Sequence, residues 1–224
     1  MGKSVLFDID GTLLHADGVG REAFHQALSS SYGERIKPDL LQRLSFVGAT
    51  DLGVLGKLAE ESGIEMRAHL NELFFLLLSK GLDEALSRQP PLCYPGVVDL
   101  LEKLTHEGYT LGIASGNSRA TAWSKLRHAG IDVFFTFGAY GDEFARRESI
   151  FRAAKARSAS ARIVVGDAPQ DVKAGHAADL KVLSVGTGWV EEKVLLEAGA
   201  DRLFHDLSDT EEVFRQIELW SRGN

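Results

Sequence analysis

The sequence predicts an α/β protein in which a doubly wound parallel sheet carries an inserted all-helical domain. Three observations support this prediction. Short apolar runs rich in Val, Ile, Leu and Phe recur along the chain, helix-length segments separate most of them, and about 80 residues between the first two runs show helical periodicity alone. Continuous apolar runs of this length are typical of strands buried on both faces of a parallel sheet.

Five runs are predicted as strands, and the spacing between the second and the fifth suits β-α-β units. Two helices are predicted there, over Asp99–Glu107 and Ser118–His128, each followed closely by a glycine that ends it. This alternation predicts a Rossmann-like core formed by residues 1–14 and 93–224. The predicted strands are Ser4–Phe7, Thr110–Ala114, Val133–Phe137, Arg162–Val165 and a weaker Lys181–Val185.

Residues 15–92 are predicted to form the inserted helical cap domain. Two amphipathic stripes support this, and Thr50 or Asp51 is a plausible N-cap for the first. The Pro90-Pro91 pair marks the return of the chain to the sheet domain. The stripes consist of Leu52, Leu55, Leu58 and Ala59, and of Met66, Leu70, Leu73, Phe74 and Leu77.

Composition excludes several classes of protein. The 224 residues carry 25 Lys and Arg against 32 Asp and Glu, a net charge of −7, without a basic cluster that would attract nucleic acid. No apolar run approaches the roughly 20 residues that span a bilayer. The single cysteine, Cys93, cannot form an intrachain disulfide. We therefore expect a cytoplasmic protein, a monomer or homodimer, that binds neither nucleic acid nor membranes.

Polar residues directly follow three of the predicted strands. They are Asp8-Ile9-Asp10-Gly11-Thr12, Ser115-Gly116-Asn117, and the segment from Gly166-Asp167 to Asp171. Ligands of open parallel sheets bind beyond the carboxyl ends of the strands. We therefore expect four carboxylates and a hydroxyl to converge there. Clustered, partly buried carboxylates repel one another unless a cation lies between them, and oxygen ligands suit Mg²⁺, so the pattern favours a phosphate ester as substrate.

These motifs resemble the haloacid dehalogenase superfamily on its phosphatase side, and specifically the phosphoglycolate-phosphatase-like branch with a helical cap. The order of the motifs and the position of the insert match as well, and the resemblance covers essentially the whole chain. It implies that Asp8 attacks phosphorus to form an aspartyl-phosphate. It also implies that Asp10 protonates the leaving alcohol and then takes a proton from water.

The resemblance implies further roles around these two residues. Mg²⁺ would be bound by Asp8, Asp167 and the main-chain carbonyl of Asp10, with Asp171 and Thr12 orienting groups behind those ligands. The phosphoryl oxygens would be held by Ser115, Gly116 and Asn117.

One family feature differs in this chain. The third motif is commonly a Lys followed by Pro, whereas the corresponding stretch here contains Arg146 and Arg147 and no Lys. We predict that Arg147 supplies the cation against Asp8 and the phosphoryl group, with Arg146 as the alternative. A guanidinium can bind a phosphate through two hydrogen bonds.

The expected function is Mg²⁺-dependent hydrolysis of a small phosphorylated metabolite under a closing cap. Thr50, with the nearby Arg43 and Lys57, is predicted to contact the leaving group. A phosphomutase of the β-phosphoglucomutase type shares all these motifs and is the alternative. A non-catalytic, phospho-accepting signalling module is disfavoured, because receiver domains place the acceptor Asp on a middle strand and a Lys after the last one.

Overall fold

The computed structural model describes residues 2–16, 18–36, 40, 43 and 46–222. Six parallel strands form one sheet in the order β5-β4-β1-β6-β7-β8, and β2 and β3 form a short antiparallel pair. The strands are β1 (Lys3–Phe7), β2 (Leu14–His15), β3 (Leu92–Cys93), β4 (Tyr109–Ala114), β5 (Phe135–Ala139), β6 (Ala161–Gly166), β7 (Lys181–Val185) and β8 (Arg202–Phe204).

Helices connect these strands in the described part of the chain. Three of them lie between β2 and β3, and the rest flank the sheet. They are α1 (Val19–Tyr32), α2 (Asp51–Glu61), α3 (Ala68–Arg88), α4 (Val97–His106), α5 (Arg119–His128), α6 (Arg147–Arg157), α7 (Pro169–Ala177), α8 (Glu192–Glu197) and α9 (Thr210–Ser221). The predicted fold class, a doubly wound parallel sheet with α/β alternation, is confirmed.

The apolar residues of the central strand β1 pack on both faces of the sheet. Val5 and Phe7 pack in one apolar cluster, whereas Leu6, which points to the opposite face, packs in another. Helices α4 and α9 contribute to the first cluster, and α6 and α7 contribute to the second. Because both faces are covered, the four residues from Ser4 to Phe7 are all buried.

The strand order reverses at β1, and this positions the site. The chain runs from β1 outward to β4 and β5, then returns to the other side of β1 for β6, β7 and β8. Such a switch point opens a crevice at the carboxyl ends of β1 and its neighbours. The residues that follow β1, β4 and β6 therefore meet at one edge of the sheet.

The segment between β2 and β3 builds an apolar cluster of its own. Phe24 of α1 and Phe74 of α3 pack edge to face, with ring centroids 4.8 Å apart. Leu55 and Leu58 of α2, which belong to the first predicted stripe, are fully buried in the same cluster. The helical character of this segment follows the prediction, while the division into core residues 1–14 and 93–224 and cap residues 15–92 stays a prediction.

Several element boundaries differ from those predicted. The third predicted strand corresponds to β5, which begins at Phe135 rather than Val133, because residues Asp132–Phe134 form a 3₁₀ turn that leaves Val133 exposed. Strand β8 was not predicted, since its three residues are too short to give a distinct apolar run. The two-residue strands β2 and β3 also carry no sequence signal, because their pairing brings together positions almost 80 residues apart.

Candidate active site

The turn after β1 carries Asp8 and Asp10 to the edge of the sheet. The amide of Asp8 still donates to the carbonyl of Val165 on β6, at 3.0 Å, so the ladder extends one residue beyond the strand. The amides of Thr12, Leu13 and Leu14 then turn back toward the carbonyl of Ile9. This tight turn holds Asp8 buried and leaves the Asp10 side chain 27% exposed.

Three buried carboxylates meet at this edge. Asp8, Asp167 and Asp171 each offer an oxygen within 4.8 Å of the others. The hydroxyl of Thr12 donates to Asp167 at 2.9 Å, and the amide of Ala168 donates to Asp171 at 3.0 Å. These two hydrogen bonds fix two of the three carboxylates without neutralising them.

Two glycines make room for the Asp167 carboxylate. Gly11 has a φ of +85°, and a Cβ there would lie 2.2 Å from an oxygen of Asp167. A Cβ on Gly188 would lie 1.9 Å from the same oxygen. Only glycine fits at these two positions, since any side chain would displace the carboxylate.

A buried arginine links the carboxylates. Arg147, the first residue of α6, donates from Nε to Asp171 at 2.5 Å, and its Nη2 lies 2.7 Å from Asp8 in a charge contact whose geometry is not that of a hydrogen bond. Arg146, one residue earlier, is 79% exposed and pairs with Glu148 at 3.5 Å. Of the two arginines proposed for the third motif, Arg147 is the one that contacts Asp8.

Burial is the largest influence on the pKa of each of three charged groups in this cluster, Asp8, Asp167 and Arg147. It raises the pKa of Asp8 from 3.8 to about 6, although the nearby Arg147 acts in the opposite direction. Burial, followed by the charge of Asp8, raises the pKa of Asp167 well above its ordinary value. Burial lowers the pKa of Arg147, but Asp171 and Asp8 outweigh it and leave that pKa raised. The cluster thus holds more negative charge than one arginine offsets.

Asp10 lies in a second network, which includes a residue that the sequence analysis missed. Lys125 of α5 is buried, and its Nζ lies 2.8 Å and 2.6 Å from the two carboxylate oxygens of Asp10. The side-chain nitrogen of Asn117 donates to Asp10 at 2.6 Å and to the hydroxyl of Ser115 at 3.0 Å. Lys125 follows Thr121 by four residues and therefore lies on the same, buried face of α5. A lysine at a buried helix position is a sequence signal for a buried acidic partner.

The predicted phosphate-binding residues lie beside these carboxylates. Ser115 is buried at the end of β4, where its amide donates to the carbonyl of Ala139 at 3.2 Å. Gly116 lies against the segment that precedes α2, since a Cβ on it would be 1.9 Å from the carbonyl oxygen of Ala49. Ser115, Gly116 and Asn117 line the same cavity as Asp8 and Arg147.

Helix α2 is joined to the sheet domain at its N-terminus. The amide of Asp51 donates to the carbonyl of Gly116 at 2.8 Å, and the amide of Leu52 donates to the carbonyl of Gly141 at 3.0 Å. The Asp51 carboxylate in turn accepts the amide of Ser118 at 2.7 Å, and burial raises its pKa to about 6. These bonds hold the helical segment over the carboxyl edge of the sheet.

The three residues predicted to contact the leaving group are placed differently from one another. Thr50 is buried and lines the cavity, but its hydroxyl donates to the carbonyl of Ala145 at 2.8 Å and caps α2 by accepting the amide of Gly53. Lys57 is 59% exposed and lies 3.9 Å from Glu61. Among the described residues, the cavity wall includes neither Lys57 nor Arg43, which is exposed. The role of Arg43 and Lys57 as substrate contacts stays a prediction.

A cavity of about 730 Å³ opens between the carboxylates and the helical segment. Its floor carries Asp8, Asp10, Lys125 and Arg147, together with Asp167. Among the described residues, the part of the wall that the helical segment supplies is mainly apolar and aromatic, with one arginine. It includes Arg21, Phe24, Phe46, Val54, Leu78 and Leu82, while Tyr94 and Trp189 line the cavity from the sheet domain. The volume is in the range of pockets that bind organic ligands.

Comparisons with known proteins identify the family. The model of the haloacid dehalogenase-like hydrolases matches residues 5–185, and the chain belongs to this family. The superfamily predicted from the motifs is therefore confirmed. Within the described residues, helices that combine the length and apolarity needed to cross a bilayer are absent.

Individual relatives are similar over most of the chain. A bifunctional riboflavin kinase/FMN phosphatase of Arabidopsis thaliana is 28% identical over 98% of this chain, which spans 56% of that relative's length. A phosphoglycolate phosphatase of Mesorhizobium japonicum is 23% identical over 85% of both chains. The crystal structure of a hydrolase from Pseudomonas syringae has a TM-score of 0.72 at 24% identity, covering 96% of this chain and 99% of that one.

Proposed function

We propose that this protein is a Mg²⁺-dependent phosphatase that hydrolyses a phosphate monoester of a small metabolite through an aspartyl-phosphate on Asp8. The observation that carries the proposal is the pairing of Asp8 with Arg147 on the floor of the cavity. Asp8 offers a nucleophilic oxygen, and the guanidinium stabilises the charge that a phosphoryl group brings to the same place. Family membership and the phosphatase relatives agree with this chemistry.

The residues around Asp8 would each handle one part of the reaction. Asp8 attacks phosphorus, the bond between phosphorus and the ester oxygen breaks, and the proton from Asp10 goes to the departing alcohol. Water then hydrolyses the aspartyl-phosphate, with Asp10 taking its proton and phosphate leaving. Ser115, whose hydroxyl lies beside Asp8 and accepts from the side chain of Asn117, would donate its own O–H to a phosphoryl oxygen, and Asn117 would hold that hydroxyl in place.

The carboxylate cluster fits a hard divalent cation. Asp8 and Asp167 are both buried, and the loss of solvent around each carboxylate raises its pKa, with the charges of neighbouring carboxylates acting in the same direction. Asp171 is engaged by Arg147 and by the amide of Ala168, so it would support the site from behind. Asp8 and Asp167, with the Asp10 carbonyl, would hold Mg²⁺, which when bound offsets the charge of the carboxylates and of the phosphate.

The cavity wall indicates what kind of alcohol would leave. The helical segment would serve as the cap, and its apolar side chains, among them Phe24, Phe46 and Val54, face the carboxylates across the cavity. Such a wall favours an organic leaving group with an apolar or planar portion. Arg21, whose guanidinium lies 4.9 Å from the ring centroid of Phe46, is the cavity-lining cation on the cap side among the described residues.

A phosphate-release screen tests the proposal. Aliphatic and aromatic phosphate monoesters would be offered with Mg²⁺ and with EDTA, to the wild type, to Asp8→Asn and to Asp179→Asn, whose side chain is exposed and remote from the cavity. We expect Mg²⁺-dependent release by the wild type and Asp179→Asn, and a loss of roughly 10³-fold or more in Asp8→Asn. Phosphate release by Asp8→Asn at the wild-type rate would refute the proposal. Transfer of the phosphoryl group to another hydroxyl without release would identify a phosphomutase.

A further inference from the structure

Lys125 is a buried cation that the proposed chemistry does not use. It lies on α5, outside the motifs that define the family resemblance, and it makes three polar contacts. Two go to the carboxylate oxygens of Asp10, at 2.8 Å and 2.6 Å, and the third goes to the side-chain oxygen of Asn117 at 2.8 Å. An ammonium group has three N–H donors, so these contacts use its capacity completely. Lys125 therefore has no donor left for a substrate.

Asn117 and Lys125 form a clamp of two residues that makes three hydrogen bonds to the Asp10 carboxylate. The side-chain nitrogen of Asn117 donates to Asp10 at 2.6 Å and to Ser115 at 3.0 Å, while its oxygen accepts from Lys125. A carboxylate has about four acceptor sites, and the clamp occupies three. The Asp10 side chain remains 27% exposed and lines the cavity, so its remaining acceptor site is available on that side.

In the described part of the chain, the two buried cations that line the cavity contact different carboxylates. Arg147 contacts Asp8 and Asp171, whereas Lys125 contacts Asp10. This division separates the carboxylate that attacks phosphorus from the one that exchanges protons.

We propose that Lys125, with Asn117, is a positioning residue that holds the Asp10 carboxylate facing the ester oxygen of the substrate. The inference rests on the proposed phosphatase function and adds a residue to it. General acid–base catalysis contributes roughly 10²- to 10⁴-fold, and only when the acid lies within hydrogen-bond reach of the leaving oxygen. Removing the clamp would therefore lower the rate of the proton-transfer step by part of this factor, while nucleophilic attack by Asp8 would be unchanged.

The test compares two esters whose leaving groups differ in their need for a proton. p-Nitrophenyl phosphate releases a stabilised phenolate, whereas glycerol 2-phosphate, or the aliphatic ester that the screen turns over fastest, releases an alcohol that must be protonated. We expect Lys125→Met to lower kcat/KM about 10- to 100-fold for the aliphatic ester and less than about 3-fold for the aryl ester. The matched control is Lys193→Met, an exposed lysine remote from the cavity, which should change neither.

A double-mutant cycle separates positioning from a general structural role. In an Asp10→Asn background, Lys125→Met should lower the residual kcat/KM for the aliphatic ester less than about 2-fold, against 10- to 100-fold in the wild-type background, because Lys125 acts through Asp10. If Lys125→Met does not fold, Lys125→Gln, which keeps a donor to Asp10, takes its place. Its kcat/KM should fall less than that of Lys125→Met, and again more for the aliphatic ester than for the aryl ester. Equal losses for both esters, or an undiminished loss in the Asp10→Asn background, would overturn the inference.

Failure of the proposed function would look different. In that case the wild type would release no phosphate from either ester, or Asp8→Asn would release it as fast as the wild type, and both proposals would fall. With Asp8 essential and the ester dependence absent, the phosphatase proposal would stand and only the role of Lys125 would be wrong.

Discussion

Replacing Arg147 by methionine tests the electrostatic argument about the site most directly. The change keeps much of the side-chain volume but removes the charge contact with Asp8, at 2.7 Å, and the hydrogen-bonded ion pair with Asp171, at 2.5 Å. Asp167 lies in the same carboxylate cluster, so three buried acidic groups lose their shared cation. The variant therefore separates the loss of charge from the loss of packing.

The expected cost can be estimated from these distances. With an effective dielectric constant of about 20, each contact is worth ~6 kcal/mol before desolvation is subtracted. Burying the guanidinium cancels most of this sum, and breaking a buried ion pair typically lowers the free energy of unfolding by about 3–5 kcal/mol. We expect a loss in this range for Arg147→Met. We also expect phosphatase activity to fall about 10²-fold or more, because a charge aimed at the phosphoryl group is removed.

Urea denaturation and phosphate release measure the two effects. Arg146→Met is the matched control, since Arg146 is the neighbouring residue and is 79% exposed, and its unfolding free energy should change by less than about 0.5 kcal/mol. Added Mg²⁺ should restore part of the stability lost in Arg147→Met by offsetting the freed carboxylates. An Arg147→Met variant as stable and as active as Arg146→Met would refute the argument that Arg147 holds the cluster together.

Two further predictions concern pH and the link between α2 and the sheet domain. Because burial raises the pKa of Asp8 from 3.8 to about 6, the stability that its protonated form contributes should be fully present below pH 3.8 and lost as pH rises through about 6. In EDTA, the difference in unfolding free energy between the wild type and Asp8→Asn should fall by up to about 3 kcal/mol between pH 4 and pH 7, and a constant difference would contradict the assigned pKa. Thr50→Ala removes both the N-cap of α2 and the hydrogen bond to the carbonyl of Ala145, and should lower the unfolding free energy by about 1–2 kcal/mol. Thr50→Ser keeps the hydroxyl and should retain most of the wild-type stability. Chemical denaturation of the two Thr50 variants would detect this, and equal stability would exclude a capping role for the hydroxyl.

In the helical segment, local sequence patterns predicted one helix and its N-cap. The stripe containing Leu55 and Leu58 correctly indicated α2, and Thr50, one of two N-cap candidates, is the residue that caps it. The same reasoning placed Lys57 near the substrate because it is close to Thr50 in sequence. In the structure Lys57 is 59% exposed and lies 3.9 Å from Glu61, and its role as a substrate contact stays a prediction.

The sequence by itself determined the sheet and the acidic residues at its edge. Apolar runs identify strands that are buried on both faces, and an Asp directly after such a run must lie at the carboxyl end of the sheet. Asp8 and Asp167 could be assigned in this way without knowledge of any contact. Both follow from the local pattern around them.

Only the tertiary structure decided which cations serve those carboxylates. Arg147 and Arg146 are adjacent in sequence, and the start of α6 at Arg147 buries one and exposes the other. Lys125 reaches Asp10 across 115 residues, and Arg147 reaches Asp171 across 24. Such contacts depend on how α5 and α6 are rotated and packed against the sheet. Local periodicity does not fix that rotation, because a charged residue on a helix has the same sequence pattern whether it meets water or a buried acid.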